Sequence, residues 1–85
     1  MHDTEKSMRV TKFYSKTCQP CKTYGPLVDD VAKAYDIEVE NVDIADAQQL
    51  VAQYGIRSVP ALVCGAEVLV GAKSRKELSM WLGKL

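Results

Sequence analysis

The sequence predicts an α/β fold in which a four-stranded mixed β-sheet is flanked by three helices, in the order β-α-β-α-β-β-α. Two patterns support this order. Four short segments are rich in β-branched and aromatic residues, as strands are, and two longer segments carry apolar residues at helical spacing. At 85 residues the chain is long enough for one small domain. We expect that domain to span residues 8–85, after a polar tail at residues 1–7.

The first half of the chain is predicted to form a β-α-β unit. The β-forming stretch 8–15 leads into a helix over about 19–35, where apolar residues recur every three or four positions. Pro20 suits the first helical turn, where a missing N–H costs nothing, whereas Pro26 should kink the helix. Stretch 37–44 alternates apolar and acidic residues and indicates a second strand. Because a helix connects the two strands, we expect them to be parallel.

The second half is predicted to contain a short helix, a hairpin and a final helix. Asp46 is a candidate cap for the short helix, which should end at Gly55. The segments VPALVC and EVLVG are separated by a glycine and indicate two antiparallel strands. Ser74 is expected to cap the final helix. Its apolar stripe would consist of Leu78, Trp81, Leu82 and Leu85.

Charge and hydropathy exclude several classes of protein. Eleven basic residues balance eleven acidic ones, which argues against broad electrostatic binding to nucleic acid or to an anionic membrane. No apolar run approaches the roughly 20 residues of a membrane-spanning helix, and the start MHDTEKSM lacks the apolar core of a secretory signal. We therefore expect a protein that binds neither nucleic acid nor membranes. Because the number of cysteines is odd and no signal is present, we also expect it to be cytoplasmic, and we expect a monomer.

Two of the three cysteines, Cys18 and Cys21, form a CxxC motif in the stretch SKTCQPCK. Cys18 lies just before the predicted helix, where free N–H groups and the helix dipole stabilise a thiolate. Cys21 lies one turn further on and could attack a mixed disulfide formed by Cys18. The pattern therefore favours dithiol–disulfide exchange.

Other roles for the cysteines remain open at this point. A structural pair is one alternative, and a metal site is another, although a tetrahedral site needs four ligands and the sequence has no second CxxC motif and no paired histidines. The third cysteine, Cys64, lies on a predicted core strand. We expect a buried structural residue there, with a regulatory thiol as the alternative.

Four segments, in the same order as in the family, resemble the thioredoxins. TCQPCK is similar to the active-site motif, with Gln19 in place of the usual glycine, and KTYGPLVDDVAKAY is similar to the active-site helix, with Pro26 at the family's kink. YGIRSVPAL resembles the segment that carries the family's cis-proline, which would be Pro60. VGAKS resembles the glycine turn beside the active site. The resemblance implies a thioredoxin-like fold, and in length the chain is closest to glutaredoxins and to compact glutaredoxin-like thioredoxins.

The resemblance also implies an activity and a substrate groove. The activity would be reduction of protein disulfides by Cys18 and Cys21, with no cofactor other than this redox-active pair. In the groove, Val59 would pair through its backbone N–H and C=O with an extended substrate chain. The implied groove residues are Thr17, Gln19, Pro20, Val59, Pro60, Gly71 and Ala72.

Two departures from the family concern the surroundings of the dithiol. Thr17 stands where thioredoxins have a tryptophan, and Lys12 stands where they bury an acid that helps to move a proton. If the Lys12 ammonium lies near the dithiol, it should favour the thiolate, so Lys12 and Lys22 are candidate redox-tuning residues. The alternative for Lys12 is a stem packed on the sheet with its amine in water.

The identity of the electron donor follows from the glycine turn. VGAKS lacks the Gly-Gly pair and the following acid with which glutaredoxins hold glutathione. We therefore expect a flavin-containing thioredoxin reductase as donor, with protein disulfides, ribonucleotide reductase among them, as substrates. The alternatives are a glutathione-dependent glutaredoxin, a metal or iron–sulfur carrier, and a non-catalytic binding module with a thioredoxin fold, which would not need both cysteines.

Overall fold

The predicted order of elements is confirmed in the computed structural model, which describes residues 8–85. The predicted tail, residues 1–7, lies outside the described residues. The elements are β1 (Met8–Tyr14), α1 (Gln19–Ala34), β2 (Ile37–Asp43), a 3-10 helix (Ile44–Asp46), α2 (Gln48–Tyr54), β3 (Ala61–Cys64), β4 (Glu67–Val70) and α3 (Arg75–Gly83). None of the helices found within residues 8–85 is long and apolar enough to cross a membrane.

The four strands form one mixed sheet in the order β2-β1-β3-β4. As predicted, β1 and β2 are parallel, and β3 and β4 form an antiparallel hairpin. Phe13 near the end of β1 pairs with Ala61 at the start of β3, and Ala61 pairs in turn with Val70 at the end of β4. The end of β1, the start of β3 and the end of β4 therefore meet at one end of the sheet.

The hydrophobic core lies on both faces of the sheet. Because successive strand side chains point to opposite faces, Leu62 joins the cluster under α1 and α3, whereas its neighbours Ala61 and Val63 join the cluster under α2. The first cluster consists of Val10, Tyr24, Val28, Val31, Ala32, Ile37, Leu62, Leu78 and Leu82, with Trp81 and Leu85 packed against it. The second consists of Phe13, Ile56, Ala61 and Val63.

Of the three signals predicted for the ends of α2 and α3, two are confirmed. The Ser74 hydroxyl accepts a hydrogen bond from the backbone N–H of Glu77 at 3.1 Å, and the Glu77 carboxylate accepts one from the Ser74 N–H at 3.3 Å. These two bonds form a capping box at the start of α3. Gly55 ends α2 with a φ of +66°, a conformation that glycine adopts without steric cost.

The prediction that Asp46 caps α2 is wrong. The chain turns as soon as it leaves β2, so Asp46 lies inside the 3-10 helix and the capping position of α2 falls to Ala47, which offers no side-chain acceptor. The acid that acts as a cap is Asp43, whose carboxylate accepts the Ala45 N–H at 3.0 Å.

These two capping positions predict different costs of substitution. Ser74→Ala should lower the free energy of unfolding by about 1 kcal/mol, because it leaves N–H groups at the start of α3 without an acceptor. Asp46→Ala should change it by less than about 0.5 kcal/mol, as expected for a surface side chain that caps nothing. Urea unfolding of both variants measures the difference. Equal losses would contradict the assignment of the caps.

Candidate active site

Cys18 occupies the N-cap position of α1. It is the residue that precedes α1, with extended backbone angles, and its Sγ accepts the backbone N–H of Cys21 at 3.1 Å. Its own N–H is held by the Ser15 carbonyl at 3.1 Å, in a turn that links β1 to α1. The sulfur therefore lies where unpaired N–H groups of the first helical turn favour negative charge.

Cys18 and Cys21 form a disulfide, with their Cα atoms 5.3 Å apart. Their environments differ. The Cys21 residue is 8% exposed, whereas Cys18 is only half-buried and lies at the edge of the helix. An incoming thiol or disulfide can therefore reach Cys18 more readily than Cys21.

The cis peptide bond predicted at Pro60 is present between Val59 and Pro60. The Val59 carbonyl oxygen lies 3.6 Å from the Cys18 Sγ, and the Pro60 carbonyl accepts the N–H of Gly71 at 2.8 Å. These two contacts bring the CxxC motif, the cis-proline segment and the glycine turn together, although they are far apart in the sequence.

The other predicted groove residues surround this centre. Thr17, Gln19 and Pro20 are exposed on either side of Cys18, and Ala72 is exposed beside Gly71. Val59 and Gly71 are partly exposed and Pro60 is buried. Gly71 has a φ of +97°, which a residue with a side chain rarely adopts.

Lys12 is buried rather than solvated. The residue is 6% exposed, and its Nζ donates hydrogen bonds to the Gly25 carbonyl at 3.1 Å and to the Asp29 carboxylate at 3.0 Å. The amine fits there because Gly25 has no side chain: a Cβ at this position would lie 3.3 Å from Nζ. The alternative in which the amine reaches water is therefore wrong.

An open cavity of about 450 Å³ is lined by both Lys12 and Cys21. Its wall includes Lys12 and Lys22, the two candidate redox-tuning residues, together with Cys21 and Pro60. Asp29, which holds the Lys12 ammonium and whose side chain is 55% exposed, was not predicted from the sequence. Its position four residues after Gly25 on α1 is the only sequence signal, and it becomes informative only once Lys12 is known to face α1.

Tyr24 joins the active-site helix to the first core cluster and does not act as a proton acceptor. The residue is 3% exposed. Burial raises the pKa of the Tyr24 phenol, and this effect outweighs the lowering by the backbone of Lys73, while the Glu77 carboxylate adds a smaller increase. The phenol is therefore neutral in the physiological pH range.

Cys64 lies away from the dithiol. It is the last residue of β3 and pairs with Glu67 at the opposite end of the sheet. It packs against the first core cluster, as expected of a structural residue, but stays half-buried rather than fully buried. Within residues 8–85, no group of three or more His, Cys, Asp or Glu side chains is arranged to bind a metal ion.

Comparison with known proteins agrees with this geometry. The sequence model of the thioredoxin family, described as "Thioredoxin", matches residues 2–84. The chain is 35% identical to Thioredoxin 1 of Nostoc sp. over 79 residues, which cover 85% of this chain and 74% of the relative. It is 33% identical to a thioredoxin of Buchnera aphidicola, with 91% of this chain and 78% of the relative covered.

A solved structure extends the similarity to the fold. A mutant thioredoxin from Halobacterium salinarum NRC-1 superposes with a TM-score of 0.80 and 29% sequence identity, covering 91% of this chain and 73% of that chain. A structure described as a malarial protein superposes with a TM-score of 0.75 over 92% of this chain and 94% of that chain, and at 22% identity it supports the fold alone.

The position of Lys12 predicts an effect on the thiolate. Lys12→Met removes a positive charge from the cavity that Cys21 lines and leaves the Asp29 carboxylate unpaired, and both changes disfavour a nearby thiolate. The variant should raise the pKa of Cys18 by roughly one unit. It should also make the pair a stronger reductant, because the reduced form loses the stabilisation that made the pair more oxidising. Thiolate absorbance against pH measures the shift. Lys33→Met, which removes an exposed charge at the other end of α1, is the control, and an unchanged titration in Lys12→Met would contradict the prediction.

Proposed function

The chain belongs to the thioredoxin family of thiol–disulfide oxidoreductases, and we propose that it reduces disulfide bonds of other proteins through Cys18 and Cys21. The observation that carries the proposal is the unequal placement of the two sulfurs. Cys18 is accessible at the helix start, beside the Val59 carbonyl, whereas Cys21 is nearly buried behind it.

In the first step, the Cys18 thiolate attacks one sulfur of the target disulfide. The target S–S bond breaks, a bond forms between Cys18 and that sulfur, and the second target sulfur leaves as a thiolate that takes up a proton. The Cys21 N–H, 3.1 Å from the Cys18 Sγ, supports this step because it stabilises the attacking thiolate.

In the second step, Cys21 loses its proton and attacks the Cys18 sulfur. The mixed disulfide breaks, the Cys18–Cys21 disulfide forms, and the first target sulfur leaves as a thiol after protonation. Two electrons have then passed from the dithiol to the target. The structure shows this closed ring, and its Cα separation of 5.3 Å lies within the usual range for a disulfide.

Substrate would bind in the groove around Cys18. An extended target chain that pairs with the backbone of Val59 would place its own cysteine close to Cys18, because the Val59 carbonyl is already 3.6 Å from the Cys18 sulfur. The walls of this groove would be formed by Thr17, Gln19, Pro20, Pro60, Gly71 and Ala72.

We propose a flavin-containing thioredoxin reductase as the electron donor and ribonucleotide reductase as one candidate substrate, in a monomeric cytoplasmic protein with no cofactor beyond the dithiol. The glycine turn supports this choice over glutathione, since Gly71 is followed by Ala72, Lys73 and Ser74 rather than by an acid. Oxidation of NADPH in the presence of thioredoxin reductase, or of glutathione with its reductase, separates the two donors. The absorption spectrum of the purified protein tests the iron–sulfur alternative.

The order of attack predicts which cysteine variant traps partners. Cys21→Ser should accumulate mixed disulfides between Cys18 and cytosolic proteins, because the second step is blocked. Cys18→Ser should accumulate at least several-fold fewer, because Cys21 is nearly buried. Non-reducing gels of proteins captured from a lysate measure both.

The matched control is the same pair of variants in a Cys64→Ala background, which removes the one thiol outside the CxxC motif. Trapping by Cys21→Ser should survive this change, since Cys64 lies at the opposite end of the sheet. Equal trapping by Cys18→Ser and Cys21→Ser, or none by either, would show that the assigned roles are wrong. Failure of the wild-type protein to speed insulin reduction by dithiothreitol would instead favour a non-catalytic binding module.

A further inference from the structure

The rim of the proposed groove is basic, although the chain as a whole carries no net charge. The three segments that meet at Cys18, residues 14–22, 54–60 and 70–74, contain no acidic residue. Their basic residues, which we call the basic rim, are Lys16, Lys22, Arg57 and Lys73.

Two members of the basic rim flank the CxxC motif directly. Lys16 lies two residues before Cys18, Lys22 follows Cys21, and both line the cavity beside Cys21. The Lys16 side chain is 82% exposed and its Nζ is 4.0 Å from the Asp43 carboxylate, a distance at which an exposed pair contributes little. Both ammonium groups therefore remain available to a bound partner.

The other two members belong to the cis-proline segment and the glycine turn. Arg57 is exposed and lies two residues before Val59, and Lys73 lies two residues after Gly71. The Lys73 Nζ is 4.0 Å from the position that a Cβ on Gly71 would occupy, which places this charge at the shoulder of the groove. Neither residue forms an ion pair with another residue in the range 8–85.

Three of the eleven acidic residues lie at the end of the sheet far from Cys18. Asp36 and Glu38 lie at the start of β2 and Glu67 at the start of β4, which is the end of the sheet opposite to Cys18. Asp29 is paired with Lys12, and Glu77 forms the capping box with Ser74 in the first turn of α3. The other carboxylates nearer to Cys18 follow the edge strand β2. Of these, Asp43 is buried and caps the 3-10 helix, and Asp46 lies within that helix.

We infer that the preferred protein substrates carry acidic residues next to the disulfide that Cys18 attacks. This inference rests on the proposed function and adds a substrate class to it. One pair of opposite unit charges about 10 Å apart in water changes a rate by roughly twofold, and several such pairs multiply. Salt should remove the preference, because the screening length falls from about 30 Å at 0.01 M to about 3 Å at 1 M.

The test uses three disulfide-linked peptides that differ only in the residues flanking each cysteine, which are glutamate, glutamine or lysine. The second-order rate constant for reduction by the reduced wild-type protein is measured at low and high salt. At about 0.01 M salt the glutamate peptide should react roughly tenfold faster than the lysine peptide, with the glutamine peptide between them. At about 1 M salt the three rate constants should agree within roughly twofold.

Variants locate the effect on the protein. Lys22→Gln, Arg57→Gln and Lys73→Gln should each reduce the ratio of glutamate-peptide to lysine-peptide rates by roughly twofold at low salt. The ratio is the useful quantity, because a change in the intrinsic reactivity of Cys18 cancels in it. The controls, Lys33→Gln and Lys84→Gln, remove the same charge near the ends of α1 and α3 away from Cys18, and should leave the ratio unchanged.

The outcomes separate this inference from the proposed function. Equal rates for the three peptides at low salt would overturn the inference and leave disulfide reduction intact. If the control variants reduce the rate ratio as much as the basic-rim variants do, the preference comes from the net charge of the protein. That result would overturn the role of the basic rim. Failure to reduce any of the peptides would contradict the proposed function itself.

Discussion

The hydrogen bond from the Cys21 N–H to the Cys18 sulfur is the interaction on which the site depends. A helix start leaves backbone N–H groups without partners, and a serine or aspartate oxygen usually accepts one of them. Here a cysteine sulfur does so at 3.1 Å, so the cap of α1 and the proposed nucleophile are the same atom. The turn from β1, the cis-proline segment and the glycine turn all position this sulfur or limit access to it.

The buried Lys12 is the second feature that we expect to influence the dithiol. An ammonium group that is removed from water needs hydrogen-bond acceptors, and the Gly25 carbonyl and Asp29 carboxylate supply them. Where the family resemblance implies an acid, this chain has a lysine that lines the same cavity as Cys21. We expect a cation there to stabilise the reduced form, whereas a carboxylate would accept a proton from the buried cysteine.

Features that are set by residues adjacent in the sequence could be predicted from the sequence. The order of elements, the Ser74 cap and the place of Cys18 at a helix start follow from local patterns, and Pro60 was identified through the family resemblance. The Asp46 prediction was wrong because the start of α2 depends on where the chain leaves β2, which is fixed by pairing with β1. The Lys12–Asp29 pair and the basic rim were not found, since each requires segments that only the fold brings together.

The central claim is that the two cysteines are chemically unequal, and the most direct test is the rate at which each is alkylated in the reduced wild-type protein. Brief treatment with iodoacetamide over a range of pH, followed by peptide mapping, gives both rates in one sample. The account predicts that Cys18 reacts at least tenfold faster than Cys21 near neutral pH, because a stabilised, accessible thiolate is the reactive form. Equal rates, or faster reaction of Cys21, would contradict it.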